Sequence, residues 1–258
     1  MTEDPWKYVR VDPVEAARNP YLHPRTPPPP PDIIPSALDG DYILMPETRT
    51  YALGVQALRE SYDCGECPAQ PTFVFAGNSI VRPLTFKENI EARVTKYENN
   101  QSREERLRLL YKWLDSVTGV VYKKNKSTFK IVPLCEQLVT IASDFAQTHI
   151  SIDYNTVLGI ELDKSKGKYN TVLTKDEVLV HPGWKAAVEN DTALLRAYRD
   201  IVFAEKADAT KLMAFRVIDN LDVDQLRALY VNNLYDSSNA NGSNDLVING
   251  YFLRVVHR

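Results

Sequence analysis

Two capping boxes follow one another in the middle of this chain and dictate where its helices must begin. In PLTFKENIEARVTKYENN, Thr85 stands three residues before Glu88. The Thr85 hydroxyl can then accept from the Glu88 N–H while the Glu88 carboxylate reaches back to the Thr85 N–H. Phe86, Ile90, Val94 and Tyr97 follow at spacings of four, four and three, which places one apolar stripe on a helix and demands a core beneath it. Ser102 and Glu105 repeat the signature at SREE, and Leu107, Leu110, Tyr111 and Leu114 share a face. That pattern predicts a second helix running on to a stop near Gly119. DTALLRAYRDIVFAEK sets Leu194, Leu195, Tyr198, Ile201 and Val202 at helical spacing behind Asp191 or Thr192 as cap, a third helix.

Strand signals lie around and after these helices. TFVFAGN (72–78) reads as a short strand, and VVYKKNKSTFKIVP as two strand-like pieces about a polar turn, closed by Pro133. KLMAFRV, QLRALYV and YFLRVV are three further strands. Residues 136–180 hold short apolar runs and turn signals without a long periodic element. Helices first and antiparallel strands late predict an α+β fold rather than a parallel doubly wound sheet. Residues 1–35, which include PRTPPPPPDIIP, predict an extended polyproline arm or linker with no core of its own, acting as a spacer or as a ligand for an aromatic groove. Residues 36–258 are expected to form one domain.

The balance of residues narrows the function. A hydrophobic content of 44% over 258 residues supports a substantial core. Formal charge is −3, from 31 Lys and Arg against 34 Asp and Glu, so no global positive field draws the molecule to phosphate backbones or acidic membranes. Neither nucleic acid nor membrane is expected as a partner. The start MTEDPWKYVRVDPVEAARNP carries acids and prolines where a signal peptide needs basic residues and an apolar run, and no apolar stretch approaches a membrane span. The expected location is cytoplasmic or virion-associated.

Cys64, Cys67 and Cys135 cannot form a disulfide framework for a chain of this size, which fits a reducing compartment. DCGEC has the spacing of redox and zinc sites, but Pro68 and Pro71 oppose the helix that thioredoxin-like chemistry needs. A structural zinc needs four ligands, and no second CxxC or HxxxH pair stands ready to join His149 or His181. A free or locally bridged pair in a loop is the plainer reading. Gly-rich phosphate loops, HExxH, GxSxG and DxDxDG are all missing from the sequence. His23, His149, His181 and His257 offer little material for a nucleophile, base and orienter. Glu104/Glu105 and Asp176/Glu177 sit at helix starts, where the helix dipole accounts for them. No cofactor or metal is implied.

The run NNLYDSSNANGSNDLVINGYFLRV (232–255) ends in a hydrophobic strand. A turn between strands explains Asn, Gly and Ser there, but a merely structural turn does not need so long a polar run. Short polar residues mixed with Tyr also make an efficient binding surface, since Tyr supplies contact area for few rotatable bonds while Ser, Asn and Gly adapt their hydrogen bonds.

Two segments carry a family resemblance. KWLDSVTGVVYKKNKSTFKIVPLCEQL resembles the part of formylglycine-generating-enzyme-type C-type lectin domains in which a helix ends at a Thr-Gly turn, a Tyr-bearing strand follows and a Leu-Pro-Thr-x-x-Glu motif closes the unit; Thr118, Gly119, Tyr122, Pro133 and Glu136 hold the matching positions. NGYFLRVV is similar to that family's closing strand, with Asn249, Gly250, Phe252, Arg254 and Val255 in place. The family's Gly-Gly-x-Trp strand is replaced by LRALYVNN, and its enzymes' pair of catalytic cysteines near the C-terminus is missing. The polar run in turn resembles the variable region of archaeal variable proteins of diversity-generating retroelements, in which mutated template adenines turn Asn codons into Tyr, Ser, Asp, Val, Ile or Leu. The likeness spans about residues 80–258.

The resemblance implies a C-type lectin-like domain with a variable ligand-binding region at about 230–251. The substitutable positions would be Asn232, Asn233, Tyr235, Asp236, Ser237, Ser238, Asn239, Asn241, Ser243, Asn244, Asp245, Val247, Asn249 and Tyr251. So many substitutions are tolerated only where side chains do not pack the core, so these residues are expected in loops on a rigid sheet. The implied activity is non-enzymatic recognition of an unknown ligand, a protein rather than a small molecule. The rival readings are a formylglycine-generating or sulfatase-modifying enzyme with a relocated site using Cys64 and Cys67, and an unvaried structural or adhesion protein.

Overall fold

A computed structural model describes residues 37–38, 42–45, 47–61, 74–76, 79–81, 83–99, 102–248 and 250–255. The proline arm, Cys64, Cys67, His23, His257 and Asn249 lie outside these residues. The described domain opens with strands β1 (Ala37–Leu38) and β2 (Tyr42–Leu44), followed by helix α1 (Tyr51–Ser61). The sequence pattern left α1 unassigned, although its signals are present. Thr50 Oγ1 accepts from Leu53 N at 3.2 Å as the cap, and Tyr51, Val55 and Leu58 are buried at helical spacing. Strands β3 (Val74–Ala76) and β4 (Ser79–Val81) then pair antiparallel, the first inside the expected TFVFAGN strand.

Helix α2 (Phe86–Asn99) starts at the first capping box, with Glu88 N donating to Thr85 Oγ1 at 3.2 Å and Thr85 N to Glu88 Oε2 at 2.7 Å. Phe86, Ile90 and Val94 are buried as the stripe requires. At the second signature Ser102 caps helix α3, but α3 covers only Arg103–Arg108 and does not run to Gly119. The correction has a physical cause, because the backbone of the next turn is taken by the C-terminal part of the chain. Leu234 N donates to Leu110 O, Leu114 exchanges both bonds with Val231, and Tyr251 N donates to Trp113 O. Long-range pairing thus outcompetes the i to i−4 ladder from residue 110 onward. Gly119 stops no helix; it begins a strand where a Cβ would lie 2.7 Å from Leu226 Cδ1.

Strands β5 (Gly119–Tyr122) and β6 (Thr128–Val132) form the expected hairpin, with Asn125 left-handed (φ 51°) in its turn. Residues 136–180, unassigned from sequence, hold helix α4 (Glu136–Val139), strands β7 (Ile150–Ser151), β8 (Ile160–Asp163) and β9 (Leu173–Thr174), and helix α5 (Lys175–Val180). A third capping box, Thr174 with Glu177 in TKDE, starts α5. Helix α6 (Pro182–Ala187) is capped by His181, and α7 (Thr192–Glu205) by Asp191 Oδ1 accepting from Leu194 N at 3.0 Å. KLMAFRV breaks into β10 (Lys211–Leu212) and β11 (Phe215–Arg216), since Met213 between them is left-handed (φ 60°). QLRALYV divides into β12 (Gln225–Ala228), which pairs with β5, and β13 (Tyr230–Val231), which leaves that sheet to pair with another strand. Strands β14 (Ala240–Asn241) and β15 (Leu253–Val255) complete the set.

The central sheet is antiparallel throughout, in the order β7-β12-β5-β6-β8. Alternation along β5 feeds two cores, as Val120 and Tyr122 join Phe86, Trp184 and Phe215 while Val121 joins Tyr51, Val55, Leu226 and Phe252. Around Trp184 the rings of Phe86, Tyr198 and Phe215 lie with centroids 5.8, 6.4 and 6.1 Å away, and its indole N–H donates to Met213 O at 3.0 Å. Strand β15 returns to pair with β2, Leu253 opposite Leu44, so the closing strand meets the start of the domain. A small sheet, β11-β14-β13, carries the polar run, with β14 parallel to β11 and antiparallel to β13.

Candidate ligand-binding surface

Strands β13 and β14 pair Tyr230 with Asn241 and Val231 with Ala240, which makes residues 232–239 a hairpin loop. Its form is set by short polar side chains. Asn233 Oδ1 accepts from Asp236 N at 2.8 Å, and Ser237 and Ser238 adopt left-handed backbone (φ 65° and 49°). A second loop, 242–248, follows β14. Asn241 Oδ1 accepts from Ser243 N at 2.9 Å and Ser243 Oγ at 2.8 Å, and Leu246 is tied into the domain by Thr148 O and Tyr51 N.

The segment that would have continued α3 lies beside both loops. The rings of Tyr111 and Tyr235 lie with centroids 4.6 Å apart, tilted by 46°, Trp113 Nε1 donates to Asp236 Oδ2 at 3.1 Å, and Lys112 Nζ sits 4.6 Å above the ring of Tyr251. Tyr251 OH in turn donates to Glu47 Oε2 at 2.8 Å. Tyr111, Lys112 and Trp113 therefore belong to this surface, and the sequence reading missed them by assigning Tyr111 to a buried helical stripe. Only the long-range pairing of residues 110–115 brings them there.

The fourteen positions singled out from the sequence do not share one environment. Tyr235 (74% exposed) and Asp236 face solvent, as does Val247, while Asn233, Ser237, Ser243, Asn244, Asp245 and Tyr251 are partly exposed. Asn232, Ser238, Asn239 and Asn241 are buried, against the expectation that the whole set avoids the interior. For Asn239 and Asn241 the reason is satisfaction of backbone groups by the side-chain amide, whereas Asn232 Oδ1 and Ser238 Oγ are buried with no partner among the described residues. Asn239 Oδ1 accepts from Ala214 N and its Nδ2 donates to Asp236 O, both at 2.7 Å, while Asn232 N bonds Asn239 O across the hairpin root. These amides fasten the loop to the small sheet.

Buried Arg93, on α2, fixes the same root from below. Its guanidinium donates to the carbonyls of Lys112 (2.6 Å), Asn232 (3.1 Å) and Val231 (3.4 Å) and to Tyr198 OH, with no carboxylate partner among the described residues. Burial lowers its pKa while Tyr198 partly opposes the shift.

Beside the second loop lies a small cleft lined by Tyr51, Trp113, Tyr230, Leu246 and Ile248 together with the acids Asp115 and Asp245. Asp245 is ion-paired with Arg227, which also donates to Ser243 O at 3.0 Å. Asp115 Oδ2 is shielded from solvent and has no hydrogen-bond partner, and burial pushes this carboxyl up to about 8. Gly250 permits this arrangement, because a Cβ there would come within 2.0 Å of Asp115 Oδ2. Tyr230 is 6% exposed, its hydroxyl has no partner, and burial beside Asp115, Asp236 and Asp245 raises its pKa.

Elsewhere, Cys135 is a buried thiol pushed up to about 11 by desolvation, the opposite of an activated nucleophile. His181 Nδ1 accepts from Gly183 N and Trp184 N at 3.2 and 3.4 Å as the cap of α6, and burial lowers its pKa to about 4. Among the described residues no group of three or more His, Cys, Asp and Glu side chains is placed to hold a metal ion. No helix among them is long and apolar enough to cross a membrane.

A mixed domain whose closing strand β15 joins the opening hairpin through β2, with long polar loops beside an antiparallel sheet, has the architecture of the C-type lectin fold. It is similar to a solved structure described as the accommodation of massive sequence variation in Nanoarchaeota by the C-type lectin fold, with a TM-score of 0.53, covering 81% of this chain and 95% of the other. Identity is 13%, so the likeness is one of fold. No family model matches the sequence, and no curated protein matches it.

Proposed function

We propose that this protein is a non-enzymatic recognition protein that presents a ligand surface from residues 232–251 on a C-type lectin scaffold, with that surface diversified by a retroelement. The observation that carries the reading is the division of labour within the run. Asn233, Tyr235, Asp236, Ser237, Ser243, Asn244, Asp245, Val247 and Tyr251 reach solvent, while buried amides and Arg93 hold the loop root independently of them. A Tyr-bearing polar surface on a rigid root suits a protein ligand, since the aromatic rings give area and the amides adapt. The sequence variation attributed to the structural neighbour supports the same reading for this chain. The formylglycine-generating-enzyme subtype rests on the motif residues, of which Thr118 both accepts from Phe86 N at 2.9 Å and donates to Pro133 O at 2.7 Å.

Sequencing this locus across a population tests the reading. The expected result is substitution at adenines of Asn-type codons, concentrated at the solvent-reaching positions, beside a near-identical template and a reverse-transcriptase gene. A uniform locus without a template refutes diversification. Turnover that depends on Cys64 or Cys67 would instead favour the enzyme reading.

A further inference from the structure

The fixed and the substitutable parts of the proposed ligand surface meet at one ion pair. Arg227 lies on β12, outside the variable set, and is 8% exposed. Its Nε donates to Gln225 Oε1 at 3.1 Å and its Nη1 to Ser243 O at 3.0 Å, while the same Nη1 is paired with the Asp245 carboxylate. Substitution acts on these contacts differently. The Gln225 bond belongs to the strand and the Ser243 bond uses a backbone carbonyl, so neither depends on the side chains at 243 and 245. The Asp245 bond does, and Asp245 is the one carboxylate paired with Arg227 among the described residues. Removing it leaves a nearly buried guanidinium without a counter-charge, a costly state that an incoming anion relieves. The route to it is open. The Asp245 side chain is 42% exposed and that of Arg227 10%, so the Asp245 carboxylate itself spans from solvent to Nη1, and a shorter side chain clears that path. Arg227 Nη2 makes no hydrogen bond among the described residues and, unlike Asp115 Oδ2 and the Tyr230 hydroxyl, is not shut off from solvent.

We propose that Arg227 is a fixed carboxylate-binding residue of the ligand surface, occupied from within by Asp245 in this protein and offered to an acidic side chain of a protein ligand when position 245 carries a short neutral residue. The proposal rests on the reading of residues 232–251 as a diversified ligand surface and adds what one position in it selects. With Asp at 245 the pair is neutral and the guanidinium is taken. With Ser there, a ligand carboxylate can meet Nη1 and Nη2 together, in the two-pronged geometry that a planar guanidinium offers and an ammonium does not. Position 245 therefore decides whether the second loop accepts acidic ligands, while the cation that would bind them stays constant on the sheet.

The test titrates the full-length protein and its Asp245→Ser variant with acetate, exchanged for chloride at constant ionic strength, and follows the Arg227 Nε–H resonance, assigned with Arg227→Gln. Asp245→Ser should shift this resonance saturably and bind acetate about tenfold or more tightly than the natural protein, the worth of one hydrogen bond to a charged group. Acetate should also raise the urea midpoint of Asp245→Ser, because it binds only the folded state, and should leave that of the double variant Asp245→Ser/Arg227→Gln unchanged. Asp245→Asn keeps the side-chain shape and one uncharged acceptor, so its acetate affinity should fall between those of the natural protein and Asp245→Ser, and it carries the same test if the serine variant does not fold. Acetate affinity in the position-245 variants no higher than in the natural protein, or acetate binding that persists in the double variant, would overturn the proposal. Those failures leave the population sequencing result untouched, so the two readings fail separately.

Discussion

Replacing Arg93 with Met tests whether one buried guanidinium holds the ligand loops in place. The substitution keeps most of the side-chain length but removes every donor. Three carbonyls, those of Lys112, Val231 and Asn232, and the Tyr198 hydroxyl lose their charged partner. Hydrogen bonds to a charged group contribute about 1.5–3 kcal/mol each, so the three carbonyls alone represent about 5–9 kcal/mol gross. Against this, the native state no longer buries a cation that has no carboxylate partner, which returns several kcal/mol. The net expectation is a loss of about 3 kcal/mol in urea unfolding. The damage should also be local, with faster amide hydrogen exchange at Leu114, Val231 and Leu234, whose N–H groups bond across the same root. A loss below about 1 kcal/mol, with exchange unchanged at these amides, would refute the role assigned to Arg93.

The buried and exposed members of the polar run should respond differently to truncation. Asn239→Ala strands Ala214 N and Asp236 O and should cost about 2 kcal/mol, whereas Tyr235→Ala should stay within about 0.5 kcal/mol, both read from chemical denaturation; equal losses would contradict the division of roles. Acid should destabilise the protein through His181. Its folded pKa of about 4 lies below the unfolded value of about 6.5, so the unfolded chain takes up the proton first and stability falls as pH drops from about 6.5 to about 4, by up to about 3 kcal/mol. In His181→Asn, which can still cap α6 but cannot titrate, the difference in unfolding free energy between pH 7 and pH 5 should shrink. An unchanged difference would remove His181 from the acid response.

Local chemistry was legible wherever a short pattern carries its own mechanism. The first capping box, the Asn125 turn and the Asp191 cap all form as their residues require. The same local rule accounts for α5 through Thr174 and Glu177, and for α1 through Thr50 with Tyr51, Val55 and Leu58. Met213 gave no such warning, because a left-handed Met is held by its surroundings rather than by its own preference.

The candidate surface divides in the same way. Asn, Ser, Gly and Tyr between 232 and 251 marked polar loops with binding potential, since composition governs what a loop side chain can contact. Burial within that run was not legible, because nothing local distinguishes Asn239 from Tyr235 until Ala214 N arrives from the link between β10 and β11. Tyr111 and Trp113 likewise read as helix until residues 231–251 claim the backbone of residues 110–115. Sequence alone determined where α2, α3 and α7 begin, the mixed helix and strand character and the polar run, because each depends on neighbours within a turn or two of the chain. Tertiary structure alone decided where α3 stops, which of the variable candidates face solvent, and that Asp115 and Tyr230 share a cleft, because each depends on hydrogen bonds and close approaches between residues about a hundred positions apart.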